Sequence, residues 1–439
     1  MKRIIKTLLY EWKGKQLPEA QPRKDKIKEY LDLSPKKIIV ITGFRRIGKT
    51  YLLFDCIKML LAEKTKEEVI YLNFEDERIP LQIEFLTQLL PTIKEEFANK
   101  TAYLFLDEIQ NIPNWSKWLR RVYDTENIFL FVSGSNSKLS GNEIPTELRG
   151  RFLEINIFPL SFEEFLVFKK IKIDKKAVEH VSDTKAELRR YFREYLFFGG
   201  LPEIILLPEE RKEETAQSYY RTVVQRDIIE RFSVKNEEAL KALLRLLLNG
   251  TTYTVTKLYN TIKSMQHEVG KTTLQDFLSY IERSYFLYSV PLFSYKIKEH
   301  QQAPRKIYII DNIFIKSLST SYANNQARLL ENAVFLELLR RNGKENIFYW
   351  KDAKHYEVDF VITKKREVKE LIQVCFSLES METKQREIRG LLRASKEVGC
   401  KKLTILTDDY EDIKKEEWFG ITETIHYIPA WKWFSSPEF

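Results

Sequence analysis

One octapeptide constrains the fold of this chain more than any other segment, and it reads Gly43-Phe44-Arg45-Arg46-Ile47-Gly48-Lys49-Thr50. It follows the apolar run Ile38-Ile39-Val40-Ile41 and fits the phosphate-binding pattern G-x-x-x-x-G-K-[ST] in its strand-then-helix context. Gly43 and Gly48 let backbone N–H groups turn towards phosphates, and the following helix, which continues at Tyr51, adds its positive dipole end. The pattern therefore predicts a nucleoside triphosphate site in which Lys49 reaches the terminal phosphates and Thr50 binds Mg²⁺.

Length and composition limit the number of domains, the cellular compartment and the kind of partner. A chain of 439 residues predicts two to four domains at about 100–200 residues each. Cys56, Cys375 and Cys400 form no C-x-x-C pair, which favours a reducing cytosol over a disulfide or zinc framework. The N-terminal segment lacks the apolar core of a signal peptide, and no run of about 18 uncharged apolar residues occurs, so we expect a cytoplasmic protein with no membrane span. The net charge of +9 is compatible with a polyanionic partner but is spread thinly along the chain.

The order of apolar runs predicts an α/β fold. Short apolar runs alternate with helical patterns, which indicates a parallel sheet between helix layers; the runs are Lys37–Thr42, Val69–Asn73, Ala102–Asp107, Ile128–Ser133 and Leu153–Phe158. The whole chain divides into a helical lead-in, this α/β region, a helical region, three helices with a hairpin that are typical of a winged helix-turn-helix, and a final α/β region. The predicted boundaries are 1–35, 36–160, 161–236, 237–315 and 316–439.

A second apolar strand ends in acids. In Leu104-Phe105-Leu106-Asp107-Glu108, Asp107 is placed to meet Mg²⁺ through its shell, and Glu108 to orient or deprotonate the attacking water. The next strand runs into Ser133-Gly134-Ser135-Asn136, where Ser135 or Asn136 is the candidate for sensing the γ-phosphate or the attacking water. Ordinary turn chemistry is the alternative for this cluster.

Two arginines follow near the sheet edge, in Leu148-Arg149-Gly150-Arg151. Arg149 and Arg151 are expected either to act as fingers on a neighbouring protomer's γ-phosphate or to pair with acids in cis. The sequence leaves both alternatives open.

These segments together resemble the predicted AAA+ ATPases that are common in archaea and bacteria, and the resemblance also includes Leu106-Asp107-Glu108-Ile109-Gln110 and Pro159-Leu160-Ser161-Phe162-Glu163-Glu164-Phe165. The resemblance implies an AAA+ core, a helical lid, a winged helix and a C-terminal domain of unsettled function. Gly199-Gly200-Leu201-Pro202-Glu203 resembles the G-x-P element of related signal-transduction ATPases, which places Gly200 and Pro202 against the adenine and ribose. Arg23 occupies the place of a nucleotide-contacting arginine in such proteins, with a solvated helix charge as the alternative.

The last region resembles a restriction-endonuclease-like fold, whose pattern needs a helix acid, a strand acid and E-x-K on the next strand. Glu331 and Asp359 would be the acids, but the third element here reads Gln373-Val374-Cys375. Gln weakens metal binding and Cys removes the cation, which favours an inactive, degenerate nuclease fold. Alternation places Glu357 on the same face as Asp359, where it is the candidate for a substitute metal ligand. Lys384 on the following helix is the candidate for the missing cation.

The sequence thus predicts an ATP-binding, Mg²⁺-dependent ATPase that acts as a nucleotide-controlled switch or motor. Double-stranded DNA is the favoured partner, because Lys271, Thr272, Thr273 and Gln275 begin the second helix of the helix-turn-helix motif, although winged helices in such ATPases also serve as packing modules. A nucleotide-gated signalling scaffold that recruits a protein is one alternative, and an ATP-dependent nuclease is another. The oligomeric state is left open, including a homo-oligomer.

Overall fold

A computed structural model describes residues 1–19, 23, 27–31, 33–98, 100–134, 146–172, 182–295, 303–320 and 326–436. Two compact units result: Met1–Ile157 with Arg283–Tyr285, and Phe158–Glu282 with Phe286–Phe439. Within the described ranges, no helix is both long enough and apolar enough to cross a membrane.

The first unit is built on a five-stranded sheet. Its strands are β1 Ile38–Gly43, β2 Val69–Asn73, β3 Tyr103–Asp107, β4 Phe129–Ser133 and β5 Phe152–Ile157. They lie in the order β2-β3-β4-β1-β5, and every neighbouring pair is parallel. The predicted α/β fold class is confirmed, and each predicted strand is present with its ends displaced by at most one residue.

Helices cover this sheet because each has an apolar face. They are α1 Lys2–Gly14, α2 Lys49–Leu61, α3 Ile83–Phe97 and α4 Trp115–Thr125. In α4, Trp115, Trp118, Leu119 and Val122 are buried in the core, and Tyr123 packs half-buried against it, as the helical spacing predicts. Strands and helices therefore alternate along this unit, as they do in other folds with a parallel sheet between helices.

The second unit begins with helices, in agreement with the predicted helical region. These are α5 Phe162–Phe168, α6 Ser182–Phe198, α7 Pro202–Leu206 and α8 Glu209–Thr222, followed by a π-helical segment, Val223–Glu230. A capping box starts α5, because the Ser161 side chain accepts from the Glu164 N–H while the Glu164 side chain accepts from the Ser161 N–H.

Three helices and a small antiparallel sheet follow. They are α9 Glu237–Asn249, α10 Val255–Ser264 and α11 Lys271–Arg283, with β6 Thr252–Tyr253, β7 Leu287–Val290 and β8 Arg305–Ile309 in the order β6-β8-β7. The core of this region includes six buried apolar residues: Tyr253, Leu258, Leu274, Phe277, Leu278 and Ile281. Three helices precede the paired strands β7 and β8, and the winged-helix assignment of this region stays a prediction.

The final region holds α12 Asn312–Leu318, α13 Gln326–Asn342, α14 Met381–Val398 and α15 Ala430–Phe434. Its strands are β9 Ile347–Lys351, β10 Glu357–Lys364, β11 Glu367–Val374, β12 Leu403–Thr407, β13 Asp412–Trp418 and β14 Ile421–Pro429. They form one mixed sheet in the order β13-β14-β12-β11-β10-β9. The edge strand β13 carries four consecutive charged residues, from Lys414 to Glu417, so its sequence lacks the apolar run of a buried strand.

One helical glycine yields a stability prediction. A Cβ on Gly390, in the middle of α14, would lie 2.6 Å from the carbonyl oxygen of Glu357 in β10. Alanine normally stabilises a helix interior by about 0.5–1 kcal/mol relative to glycine. Here we expect Gly390→Ala to destabilise the protein by about 1–3 kcal/mol, because helix and strand must separate. Thermal unfolding measures this, with Gly14→Ala as the control, since nothing lies within 4 Å of a Cβ there; equal midpoints for both variants would contradict the prediction.

Candidate nucleotide-binding site

The phosphate-binding pattern forms the turn between β1 and α2. Gly43 ends β1 with φ +146°, and a Cβ there would lie 2.5 Å from the carbonyl oxygen of Ile157. Gly48 precedes α2 with φ 99°, so both glycines occupy backbone conformations that side chains disfavour. Lys49 is the first residue of α2, which places the predicted loop at the N-terminus of a helix.

The Lys49 ammonium is held within this loop. Its Nζ donates to the carbonyl oxygens of Gly43 and Phe44 at 3.1 and 3.0 Å, and the residue is buried. Arg23 also reaches the loop, because its guanidinium donates to the carbonyl oxygen of Ile47 at 3.0 Å. The remaining loop side chains differ in exposure: Phe44 and Ile47 are buried, Arg45 is half-buried, and Arg46 and Tyr51 are exposed.

The two predicted metal ligands lie side by side. The Thr50 hydroxyl donates to Asp107 Oδ2 at 2.7 Å. A hydroxyl and a carboxylate are hard oxygen donors, and Mg²⁺ commonly uses one or two such protein ligands together with phosphate oxygens and water. Thr50 and Asp107 therefore fit the group that the phosphate-binding pattern implies.

Two further side chains, absent from the sequence prediction, hold Asp107 in place. The Tyr71 hydroxyl on β2 donates to Asp107 Oδ2 at 2.9 Å, and the Ser133 hydroxyl on β4 donates to Oδ1. Burial and the nearby Asp107 charge raise the pKa of Tyr71, so it stays a neutral donor. The contact between Ser133 and Asp107 follows from the strand register, because the two residues lie directly opposite each other on β4 and β3.

Glu108 follows β3 in a left-handed backbone conformation, with φ 55°. Its N–H donates to the carbonyl oxygen of Ser133 at 2.9 Å, and its carboxylate accepts from the Gln110 amide. Burial raises the pKa of Glu108, and the positive charge of Lys49 partly opposes that rise. A carboxylate with a raised pKa is a stronger base than a solvated one, which is the property that activation of water requires.

The other predicted residues of this unit have different outcomes. Ser135 and Asn136 lie outside the described residues, so the sensor assignment stays a prediction. Arg151 pairs with Asp124 of the same chain, with Nε 3.0 Å from Oδ1, whereas Arg149 is exposed. Both arginines stay candidates for an arginine finger. Arg151 would have to leave Asp124 to reach a neighbouring protomer, whereas Arg149 has no such ion pair with Asp124.

Gly200 and Pro202 belong to the second unit, where the glycines have a packing role. A Cβ on Gly199 would overlap the Asp311 carboxylate, and the Gly200 N–H donates to Asp311 Oδ2 at 2.7 Å. Pro202 is the first residue of α7. Burial raises the pKa of Asp311 to about 7, and N–H groups of Ile313, Gly200 and Leu201 oppose the rise. The predicted contact of Gly200 and Pro202 with adenine and ribose stays a prediction.

The predicted acids of the last region do converge. Glu331, Glu357 and Asp359 all contact the ammonium of Lys306, so Glu357 and Asp359 share one face as alternation predicts. The cation at these acids is thus Lys306 on β8, and not the predicted Lys384. Lys384 lies elsewhere, with its Nζ 5.8 Å from the ring centres of Tyr410 and Tyr427.

Comparisons with known proteins identify the family of this chain. A family model described as an AAA domain matches residues 35–166, and two described as domains of unknown function match residues 189–325 and 326–433. An uncharacterized protein of Methanocaldococcus jannaschii is 39% identical over 411 residues, which cover 92% of this chain and 89% of that protein. This chain belongs to the AAA-type P-loop ATPase family.

Other relatives of this AAA-type protein extend the comparison. An uncharacterized protein of Haemophilus influenzae is 30% identical over 346 residues, covering 78% of this chain and 83% of that protein. Among solved structures, a Walker-type ATPase of Pyrococcus abyssi has 14% identity and a TM-score of 0.47, covering 71% of this chain and 99% of that one. The Orc1 protein of Aeropyrum pernix in complex with DNA has 12% identity and a TM-score of 0.31, covering 76% and 94%.

The buried loop lysine yields a prediction for this AAA-type protein. We expect Lys49→Ala to weaken ATP binding by about ten- to a hundredfold, because a hydrogen bond to a charged group contributes about 1.5–3 kcal/mol. Titration with a fluorescent ATP analogue measures the affinity. Lys58→Ala is the matched control, since Lys58 lies on the same helix and donates to the carbonyl oxygen of Pro18. Unchanged affinity in Lys49→Ala would contradict the assignment of the loop.

Proposed function

We propose that this protein binds ATP with Mg²⁺ and hydrolyses it, and that hydrolysis drives a nucleotide-controlled switch or motor acting on double-stranded DNA. The observation that carries the ATPase part is the side-by-side placement of Thr50 and Asp107 at 2.7 Å, directly followed in sequence by the half-buried Glu108, whose pKa is raised by desolvation. A phosphate-binding loop alone supports binding. The loop, the paired oxygen donors and a half-buried carboxylate that can act as a base together support hydrolysis.

Each residue has a role in this proposal. Backbone N–H groups of the loop and the Lys49 ammonium bind the phosphates, and Thr50 and Asp107 would hold Mg²⁺. A Mg²⁺ ion held by these two residues would supply positive charge that offsets the negative charge of the phosphates. Glu108 orients the attacking water and takes its proton, while Tyr71 keeps the Asp107 carboxylate in position from β2.

The DNA part of the proposal rests on one helix. At the start of α11, Lys271, Thr272 and Gln275 are exposed, and Thr273 is half-buried. On the preceding helix α10, Lys257 and Lys263 are also exposed. Hydroxyl, amide and ammonium groups of this kind contact phosphates and base edges from the second helix of a helix-turn-helix motif.

Hydrolysis is tested by Glu108→Gln. We expect ATP binding to be retained and turnover to fall by about 10²–10⁴-fold, because the amide holds the water but cannot accept its proton. Release of phosphate and nucleotide affinity are measured on the same preparation. Glu77→Gln is the control, since it makes the same change at an exposed site beyond β2. Turnover at the parental rate in Glu108→Gln would remove Glu108 as the base.

The DNA partner is tested by turnover with and without double-stranded DNA. We expect stimulation that is lost in Lys271→Ala combined with Gln275→Ala, while basal turnover is unchanged. The salt dependence of DNA binding should fall by about one unit of slope for the lysine removed. Lys365→Ala, at an exposed lysine between β10 and β11, is the control. ATP turnover without DNA binding would instead favour the signalling scaffold.

A further inference from the structure

The second unit contains a lysine buried among carboxylates. Lys306 Nζ lies 2.6 Å from Asp359 Oδ1, 2.9 Å from Glu357 Oε1 and 3.0 Å from Glu331 Oε1. Its side chain is only 6% exposed. An ammonium has three N–H donors, so these three carboxylates use its full donor capacity. The ammonium therefore stands where carboxylates of a nuclease-like site would gather around a cation.

The cation and the acids come from different parts of the chain. Lys306 lies on β8 of the three-stranded sheet, Glu331 lies on α13, and Glu357 and Asp359 lie on β10. A backbone link runs nearby, because the Phe293 N–H donates to the carbonyl oxygen of Tyr349 on β9 at 2.6 Å. The hairpin that contains β8 is thus joined to the six-stranded sheet by main chain as well as by charge.

Other protein donors also reach each of the three carboxylates. Asp359 Oδ2 accepts from the Val374 N–H at 2.9 Å, and the Tyr308 hydroxyl donates to Glu331 Oε1 at 2.7 Å. Lys351 donates to Glu357 Oε2 at 2.8 Å. Each of the three carboxylates is therefore held by protein donors in addition to Lys306, which satisfies the rule that buried charges must be paired.

Gln373 fits this arrangement and a glutamate would not. Its Oε1 accepts from the Asp359 N–H at 3.1 Å, while its Nε2 donates to the carboxylate of Glu387 on α14. A glutamate at this position has no donor when ionised and would face the Glu387 carboxylate directly. The departure from the E-x-K pattern is therefore matched to the neighbours of Gln373, and the residues present do not fit a divalent metal ion.

We propose that the Lys306 ammonium is the resident cation of this carboxylate cluster, that it excludes a divalent metal ion, and that it anchors the β8 hairpin to the nuclease-like sheet. The cluster then joins two parts of the second unit instead of cutting DNA. This proposal is independent of ATP hydrolysis, because none of its residues belongs to the nucleotide site.

The test measures Mn²⁺ binding to the full chain by electron paramagnetic resonance of the free ion. As a single substitution, Asp359→Asn should leave Mn²⁺ binding the same as in the parent protein. Lys306→Ala should gain about one bound Mn²⁺ per chain, because three carboxylates then lack their ammonium, and adding Asp359→Asn should abolish that gain. Lys351→Ala is the matched control, since it removes an exposed lysine from the same Glu357 and should gain none.

Two results would overturn the proposal: parental Mn²⁺ binding that disappears in Asp359→Asn, or no gain of Mn²⁺ in Lys306→Ala. If Lys306→Ala does not fold, Lys306→Met keeps the side-chain length and thermal unfolding becomes the readout. We expect Lys306→Met to lower the unfolding midpoint and Asp359→Asn to restore part of it in the double variant, because the unpaired buried carboxylate is then neutral. Additive midpoint shifts in the double variant would contradict the pairing.

Discussion

The candidate nucleotide site depends on the hydrogen bonds that the Asp107 carboxylate accepts. Thr50 on the first turn of α2, Tyr71 on β2 and Ser133 on β4 all donate to it. Parallel register makes this possible, because β2, β3 and β4 end at the same edge of the sheet and Asp107 lies opposite Ser133. One side chain therefore fixes the position of the phosphate-binding loop relative to three strands, and Glu108 follows directly from it.

Much of this unit could be predicted from sequence because its signals are local. A buried parallel strand is a continuous apolar run in the sequence. The turn from β1 to α2 needs Gly43 and Gly48 because both have backbone conformations that side chains disfavour, and the octapeptide pattern contains both glycines. The acids Asp107 and Glu108 were predictable for the same reason, since they end such a run. Residues that act through alternation within one strand, such as Glu357 and Asp359, were likewise predictable.

The residues that sequence reasoning missed act across long separations. Lys306 meets Asp359 from 53 positions away, and Asp311 meets Gly200 from 111 positions away. Within Arg305-Lys306-Ile307-Tyr308-Ile309, alternation assigns Lys306 to a polar, solvent-facing side of β8. The structure places carboxylates on that side instead, and only the packing of α13 and β10 around the strand reveals them. Local pattern fixes which face a side chain occupies, whereas the chemistry of that face is decided by tertiary partners.

The two carboxylate clusters of this protein differ in the charge of their donors, and this difference separates their chemistry. The direct partners of Asp107 are hydroxyl groups, which orient the carboxylate without neutralising it, so its negative charge still attracts a cation. The partners of Asp359 include an ammonium, which supplies both hydrogen bonds and the compensating charge. A divalent ion would gain the attraction of three acids at the second cluster only by displacing a buried lysine from them. The same residue type, a buried aspartate at or near a strand, thus favours a metal at one place and a protein anchor at the other.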